Sequence, residues 1–193
     1  MVEKKVAPQI ISFKTQKEFE KWLDKNYCLQ EGIWLRYFKK ASRVKTVTYA
    51  EALEVALCYG WIDGQAKKYD EDSWLQKFTP RRQRSIWSKR NIEHVERLIK
   101  EGQMKSAGRK EMERAKEDGR WDNAYDSPSK MEIPADFLQE LKKDKKAETF
   151  FSTLNRSNKY AIVWRLQTAK KPETRERRLQ KILKMLKDDQ KFH

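Results

Sequence analysis

The side chains best suited to chemistry are concentrated between Leu57 and Asn91, a stretch that holds three of the seven Trp residues of the chain. Between Pro80 and Asn91 there are five basic residues and no acidic one. Arginine forks, serine hydroxyls and aromatic faces together suit a planar or phosphorylated anion. The alternative is a solvated basic turn at the end of a hairpin, since runs of charge often serve solubility alone.

We expect these side chains to line one concave site where the hairpin meets the following helix. Trp61 and Asp63 share a face by strand alternation, and Ser88 at a helix start would leave backbone amides directed outward, which favours an anion. In this hypothesis Arg82 binds the ligand charge, Trp87 gives it a flat apolar wall, and Asp63 fixes the arginine geometry or meets a ligand donor. The predicted ligand-binding residues are Trp61, Asp63, Arg81, Arg82, Ser85, Trp87, Ser88 and Asn91.

Signatures of catalysis are scarce in this sequence. It has no G-x-G-x-x-G, P-loop, G-x-S-x-G or H-E-x-x-H pattern. His94 is predicted on the polar side of a helix and His193 is terminal, so we predict neither a zinc site nor a His-dependent triad. Cys28 and Cys58 have no metal-ligand spacing, and Cys58 is predicted to be a small buried hydrophobe. Asp63 is the only catalytic candidate, and we favour a non-enzymatic protein with no cofactor.

The composition favours anionic partners. The 193 residues have a net charge of +15, with 38% charged and 38% hydrophobic residues, and the aromatic residues can anchor a core. A small anion is the preferred partner, because basic and acidic residues are interleaved outside the Arg81–Arg90 segment; nucleic acid is the second candidate. No apolar run approaches the length of a membrane span and the N-terminal residues contain no signal-peptide core, so we predict a cytoplasmic protein.

Two stretches, ALCYGWIDG (Ala56–Gly64) and FTPRRQRSIWSKRN (Phe78–Asn91), resemble the YdeI/OmpD-associated family, also called bacteriocin-protection proteins. GQMKSAG, AKEDGRW and AKKPETRERR further along fit the same pattern, so the resemblance extends over nearly the whole chain. It implies a bacterial cytoplasmic protein linked to stress or antimicrobial-peptide tolerance. An envelope-protein partner is implied by the family name alone. Because a chain of charge +15 would not attract cationic peptides, we expect any protective effect to be indirect.

The rival functions stay open at this point. One is an enzyme acting on a small phosphorylated or carboxylated molecule, with Asp63 as its acid–base group. Another is a protein that binds nucleic acid or an envelope protein. A ligand or ion bound at the basic turn would decide between them.

Local patterns in the first half alternate between helix and strand. Capping-box patterns begin helices at Thr15 and Thr48, and Gly60 ends the second of these helices. Between them, Ile33–Lys39 is largely apolar on both faces, which predicts a central strand. Ile10–Phe13 is predicted to be a short edge strand.

The following patterns predict a hairpin and two helices. Trp61–Tyr69 and Ser73–Thr79 form the predicted β-hairpin, with Gly64 marking a bulge or a close approach of two backbones. Ser88 is predicted to cap the next helix, and a further helix is predicted over Ser106–Glu117.

The C-terminal third is predicted to be entirely helical. Asn123–Ile133 is the best linker candidate, by its Ser, Pro and Asp content. Pro134 suits the first position of a helix, and apolar residues then recur at helical spacing. Thr174–Arg178 is predicted either to dock on phosphates or on the first domain, or to form a solvated charged helix face.

These patterns predict an α+β fold followed by a helical extension. The first domain, residues 1–125, has a small, mainly antiparallel sheet with helices. The second domain, residues 130–190, is all-helical. Met1–Pro8 is predicted to be a loose tail.

Overall fold

The structure, a computed structural model, describes residues 8–193. These residues contain a four-stranded mixed sheet and eight α-helices. The residues form two units. The first consists of the described residues up to Ser85 together with Asn91–Trp121, and the second of Ile86–Arg90 and Asp122–His193. The predicted α+β fold followed by a helical C-terminal part is confirmed. The predicted N-terminal tail lies outside the described residues, apart from Pro8.

The sheet belongs to the first unit and has the strand order β1-β2-β4-β3. Strand β2 pairs in parallel with β1 and antiparallel with β4, so β2 is central, as its two largely apolar faces predict. The β3–β4 hairpin is antiparallel. The strands are β1 (Gln9–Ile11), β2 (Ile33–Phe38), β3 (Trp61–Lys68) and β4 (Ser73–Pro80).

The hairpin contains the predicted bulge. The pairing register shifts between Asp63 and Ala66, and the side-chain amide of Gln76 donates to the carbonyl of Gly64 at 2.8 Å. This bond satisfies a buried amide, which would otherwise cost free energy.

Four helices belong wholly or mainly to the first unit, and two of them begin at the predicted threonines. Thr48 forms a complete capping box with Glu51. Thr15 accepts from the backbone N–H of Glu18, but the Glu18 carboxylate accepts from the N–H of Lys14 and not from that of Thr15. The helices are α1 (Gln16–Asn26), α2 (Tyr49–Cys58), α3 (Lys89–Lys100), whose first two residues belong to the second unit, and α4 (Ser106–Glu117).

One face of the sheet, called the inner face below, packs on α1 and forms the core of the first unit. Phe19 meets Phe78 edge-on with ring centroids 6.0 Å apart, and Trp22 meets Trp61 in the same way at 6.0 Å. Trp61 is fully buried, and its indole N–H donates to the carbonyl of Tyr27 at 2.7 Å. A buried Trp is stable here because its one polar group is bonded.

The second unit buries its own apolar core. Ten residues of the predicted helical stripes and their neighbours are buried together, among them Phe137, Phe151 and Ile182. Pro134 caps the first helix of this unit and does not occupy its first position, since its ψ of 134° is extended. The helices are α5 (Ala135–Leu141), α6 (Lys145–Thr153), α7 (Arg156–Gln167) and α8 (Pro172–Lys187).

Two of the three arginines predicted to dock on phosphates or on the first domain form contacts inside the second unit. Arg175 forms an ion pair with Asp136. Arg178 donates to the carbonyl of Arg165 at 2.7 Å. These contacts join α8 to α5 and α7.

The start of α4 lies directly against the end of α2. A Cβ added at Gly108 would lie 2.2 Å from the carbonyl oxygen of Cys58, and the N–H of Lys105 donates to that same oxygen at 3.2 Å. Two helices can come this close only where one of them has no side chain. Gly108 is therefore a packing requirement.

We expect Gly108→Ala to destabilise the protein by about 1–3 kcal/mol, because the added methyl group overpacks a backbone contact. An alanine in place of glycine in a helix without such a contact stabilises by about 1 kcal/mol. Gly64→Ala is the control, since its Cβ would meet only the Lys77 side chain, at 3.7 Å. Urea denaturation measures both; a Gly108 variant as stable as the parent would contradict the packing.

Candidate functional site

The eight predicted site residues are divided between the two units. Trp87 and Ser88 belong to the second unit and the other six to the first. Arg82 is exposed, whereas Asp63 and Ser85 are half-buried. The buried members are Trp61, Arg81, Trp87, Ser88 and Asn91.

Asp63 lies on the inner face of the sheet, as predicted from its alternation with Trp61. It pairs across the hairpin with Phe78, and its carboxylate accepts from the hydroxyl of Tyr49 on α2 at 2.8 Å. Burial raises the pKa of the neighbouring Tyr37 hydroxyl, and the nearby Tyr49 and Asp63 raise it further. The Asp63 carboxylate therefore faces helix α2.

Arg82 lies in the turn that follows the hairpin. Its backbone N–H donates to the hydroxyl of Ser85 at 2.9 Å. Burial lowers the pKa of Lys77, the negative charge of Glu31 raises it, and the positive charge of Arg82 lowers it further. Arg82 therefore lies near Lys77. Lys77 pairs with Trp34 on the opposite face of the sheet from Asp63. That Asp63 and Arg82 share one site stays a prediction.

The turn is held by an arginine that the sequence analysis did not select. Arg120 is 5% exposed, donates to the carbonyl of Ser85 at 2.8 Å and forms an ion pair with Asp118 at 2.7 Å. Arg81 extends the hairpin pairing, because its N–H donates to the carbonyl of Gly60 at 2.9 Å. No sequence signal distinguishes Arg120 from the many other basic residues of the chain.

Trp87 and Ser88 pair with the predicted linker. The N–H of Tyr125 donates to the carbonyl of Trp87 at 3.0 Å, and Ser88 forms a parallel bridge with Tyr125. Lys89 forms an ion pair with Asp126 at 2.7 Å. Helix α3 begins directly after Ser88, where a cap is predicted. That all eight residues form one ligand site stays a prediction.

A different group of residues in the first unit surrounds a cavity of about 870 Å³, called the lysine-lined cavity below. The starts of α1 and α2 and the segment before α4 all contribute to its wall. The charged residues of the wall are four lysines and two glutamates: Lys14, Lys17, Lys45, Lys105, Glu20 and Glu51.

Both glutamates of this wall already have partners. Glu20 pairs with Lys105 at 2.9 Å, and this hydrogen bond raises the pKa of Lys105. The N–H of Thr48 lowers the pKa of Glu51 by bonding to its carboxylate, the Thr48 hydroxyl lowers it further, and the positive charge of Lys45 also lowers it. The remaining lysines, Lys14, Lys17 and Lys45, have no ion pair with any residue in the range 8–193.

The sequence does contain a signal for this cavity, which lies in the relation of lysines to helix starts. Lys14, Lys45 and Lys105 precede the first residues of α1, α2 and α4 by two, four and one positions. The capping boxes predict only where helices begin. The flanking lysines become a group because the fold places them on the wall of one cavity.

Cys58 also lines the cavity and is buried, as predicted. Burial raises the pKa of its thiol to about 11. The thiol is therefore protonated at neutral pH and has little nucleophilic character.

Replacing Tyr49 by Phe removes the hydroxyl that donates to Asp63. We expect Tyr49→Phe to destabilise the protein by about 1 kcal/mol, since bonds to charged groups contribute more than neutral ones but Asp63 is only half-buried. Tyr69→Phe is the matched control, because Tyr69 is 49% exposed. Urea denaturation compares the two, and equal stability of both variants would show that the Asp63 contact is not structural.

No helix within residues 8–193 has the length and apolar content needed to cross a bilayer. In the same residues, no group of three or more His, Cys, Asp or Glu side chains is placed to hold a metal ion.

Comparison with known families gives two matches. The family described as "Domain of unknown function (DUF8412)" matches residues 11–111. The family described as "Bacteriocin-protection, YdeI or OmpD-Associated" matches residues 130–189, which confirms the predicted resemblance over that part of the chain. The ALCYGWIDG and FTPRRQRSIWSKRN stretches fall in the first match, and AKKPETRERR in the second. No curated protein and no solved structure matches the chain.

Proposed function

The chain belongs to the family described as "Domain of unknown function (DUF8412)", and we propose that it is a non-enzymatic module that binds a small anionic ligand in the lysine-lined cavity of its first unit. The observation that carries the proposal is the convergence of Lys14, Lys17 and Lys45 on one cavity without ion-pair partners in the described range. An anionic ligand follows from the charge and hydrogen-bonding capacity of that wall. The proposed ligand position is thus the cavity and not the Arg81–Asn91 turn.

The position of the lysines supports this proposal. The start of a helix carries partial positive charge, so a cation placed there costs about 0.3–1 kcal/mol. Lys17 lies in the first turn of α1, and Lys14 and Lys45 precede α1 and α2. A bound anion would reverse this cost, because helix starts and ammonium groups both attract it.

The size and chemistry of the cavity are consistent with a small-molecule ligand. Its volume of about 870 Å³ is within the range of about 300–1,000 Å³ common for such sites. The hydroxyls of Thr15 and Thr46 also line the cavity, and that of Thr48 already donates to Glu51. Phosphate and carboxylate oxygens accept hydrogen bonds from ammonium groups and hydroxyls.

The relation to peptide tolerance is also a proposal. The match over residues 130–189 carries the words bacteriocin protection, and a chain of charge +15 repels cationic peptides. We infer that any protection acts through the anionic ligand and not through capture of the peptide. A cytoplasmic location and an envelope-protein partner stay predictions.

The double variant Lys17→Gln/Lys45→Gln tests the site. With inorganic pyrophosphate as the probe, we expect its affinity to fall about 10-fold or more, since each lost ammonium contributes about 1 kcal/mol or more at contact distance. Without pyrophosphate the same variant should be as stable as the parent or more stable, because cations leave positive helix ends. Titration calorimetry measures the affinity, and urea denaturation measures the stability.

Two controls locate the effect. Lys21→Gln/Lys110→Gln removes the same charge from exposed mid-helix positions of the first unit outside the cavity wall and should leave the affinity unchanged. Arg82→Gln tests the turn. Loss of pyrophosphate binding in Arg82→Gln, with normal binding in the Lys17/Lys45 variant, would move the site back to the Arg81–Asn91 segment.

A further inference from the structure

The outer face of the sheet, opposite the face that packs on α1, has an aromatic and basic surface. Cross-strand partners share a face, so Trp34 lies beside Lys77, and Arg36 beside Leu75. Lys67 also pairs with Leu75, from the other side.

One end of the outer face is closed by its own contacts. The guanidinium of Arg36 lies 4.3 Å from the Phe38 ring centroid and 4.9 Å from that of Tyr69. Arg36 also pairs with Asp70 at 2.7 Å and donates to the hydroxyl of Ser73 at 3.0 Å. Both aromatic rings at this end are therefore occupied by a cation that is fixed in place.

At the other end of the outer face, the cation over the aromatic ring has fewer contacts. The ammonium of Lys67 lies 4.3 Å from the Trp34 ring centroid, and that of Lys77 lies at 5.6 Å. Lys67 is exposed and has no carboxylate partner within residues 8–193. Its hold on the ring is weak, because an exposed cation–π contact contributes little. Lys67 can therefore leave the ring while its flexible stem keeps its charge nearby.

A second cation lies beside the Trp34 ring. Lys77 bonds to the backbone carbonyl of Glu31 at 2.6 Å, which fixes its ammonium beside the indole. Two cations from neighbouring strands thus flank one aromatic ring at this end of the outer face.

We propose that this open end of the outer face binds single-stranded nucleic acid, with a base stacked on Trp34 and the flanking phosphates held by Lys67 and Lys77. In this arrangement the incoming base displaces Lys67 from the ring, and the displaced ammonium meets a phosphate. An aromatic platform on a sheet, flanked by cations, is the combination by which sequence-tolerant single-strand binding works.

A single strand fits this surface better than a duplex or an acidic peptide. In a duplex the bases are stacked on each other and do not offer a face to an indole. An acidic peptide would use the cations but not the Trp34 ring. Two separate ammonium groups beside one ring match the phosphates on either side of a stacked base, whereas a free mononucleotide carries one phosphate.

The test measures anisotropy of a labelled oligothymidylate with two substitutions at the ring. Trp34→Leu keeps apolar bulk but removes the stacking surface, and we expect the affinity to fall at least about 5-fold. Trp34→Phe keeps a ring and should retain most of the affinity. An abasic oligomer with the same number of phosphates should bind both variants and the parent equally.

The lysines are tested through salt dependence. Lys67→Gln/Lys77→Gln should flatten the slope of log affinity against log salt by about 1.4, since each phosphate contact on a single strand contributes about 0.7. Lys21→Gln/Lys110→Gln, with the same net charge, should flatten it much less. The Lys17→Gln/Lys45→Gln variant should bind oligothymidylate normally, which separates this surface from the lysine-lined cavity.

Three results would overturn the proposal. One is equal binding of oligothymidylate by the Leu variant and the parent. Another is binding of polyglutamate or of duplex as tight as binding of the single strand. The third is competition by free thymidine monophosphate at the affinity of the strand, which would make the surface a mononucleotide site.

Discussion

One close backbone contact, between Gly108 and the carbonyl of Cys58, holds the beginning of α4 against the end of α2. The N–H of Lys105 bonds to the same carbonyl, and both Lys105 and Cys58 line the lysine-lined cavity. Helix α2 begins nine residues before Cys58, and its first turn and the start of α1 contribute the rest of the wall. A side chain at position 108 would separate α4 from α2 and open that wall.

The electrostatics of the first unit follow from the same arrangement. Each helix start is positive, and Glu18 and Glu51 compensate the first turns of α1 and α2 through backbone N–H groups. Lys105 pairs with Glu20, and the charge of Lys45 lowers the pKa of Glu51. Cations near helix starts cost free energy, and the proposed anionic ligand would offset that cost.

Much of the fold could be predicted from local patterns, because those patterns act over short distances. The T-x-x-E boxes gave the starts of α1 and α2, Gly64 gave the bulge, and the apolar faces of Ile33–Phe38 gave the central strand. The parallel pairing of β1 could not be predicted in this way, since it depends on contacts between residues distant in sequence.

The candidate site was harder to predict, because a site depends on which residues the fold brings together. Asp63 lies on the inner face that strand alternation predicts, but its partner Tyr49 comes from helix α2, which local patterns do not reveal. Likewise, Lys14, Lys45 and Lys105 are far apart in the sequence and meet only through helix packing. The density of basic residues along the chain favoured an anionic ligand but did not indicate where that ligand would bind.

The most direct test of anion binding in the lysine-lined cavity is a map of backbone amide chemical shifts during titration with pyrophosphate. We expect the largest changes at residues 14–17, 45–48 and 102–105, around the three helix starts. Changes confined to residues 81–91, with those three segments unaffected, would contradict it.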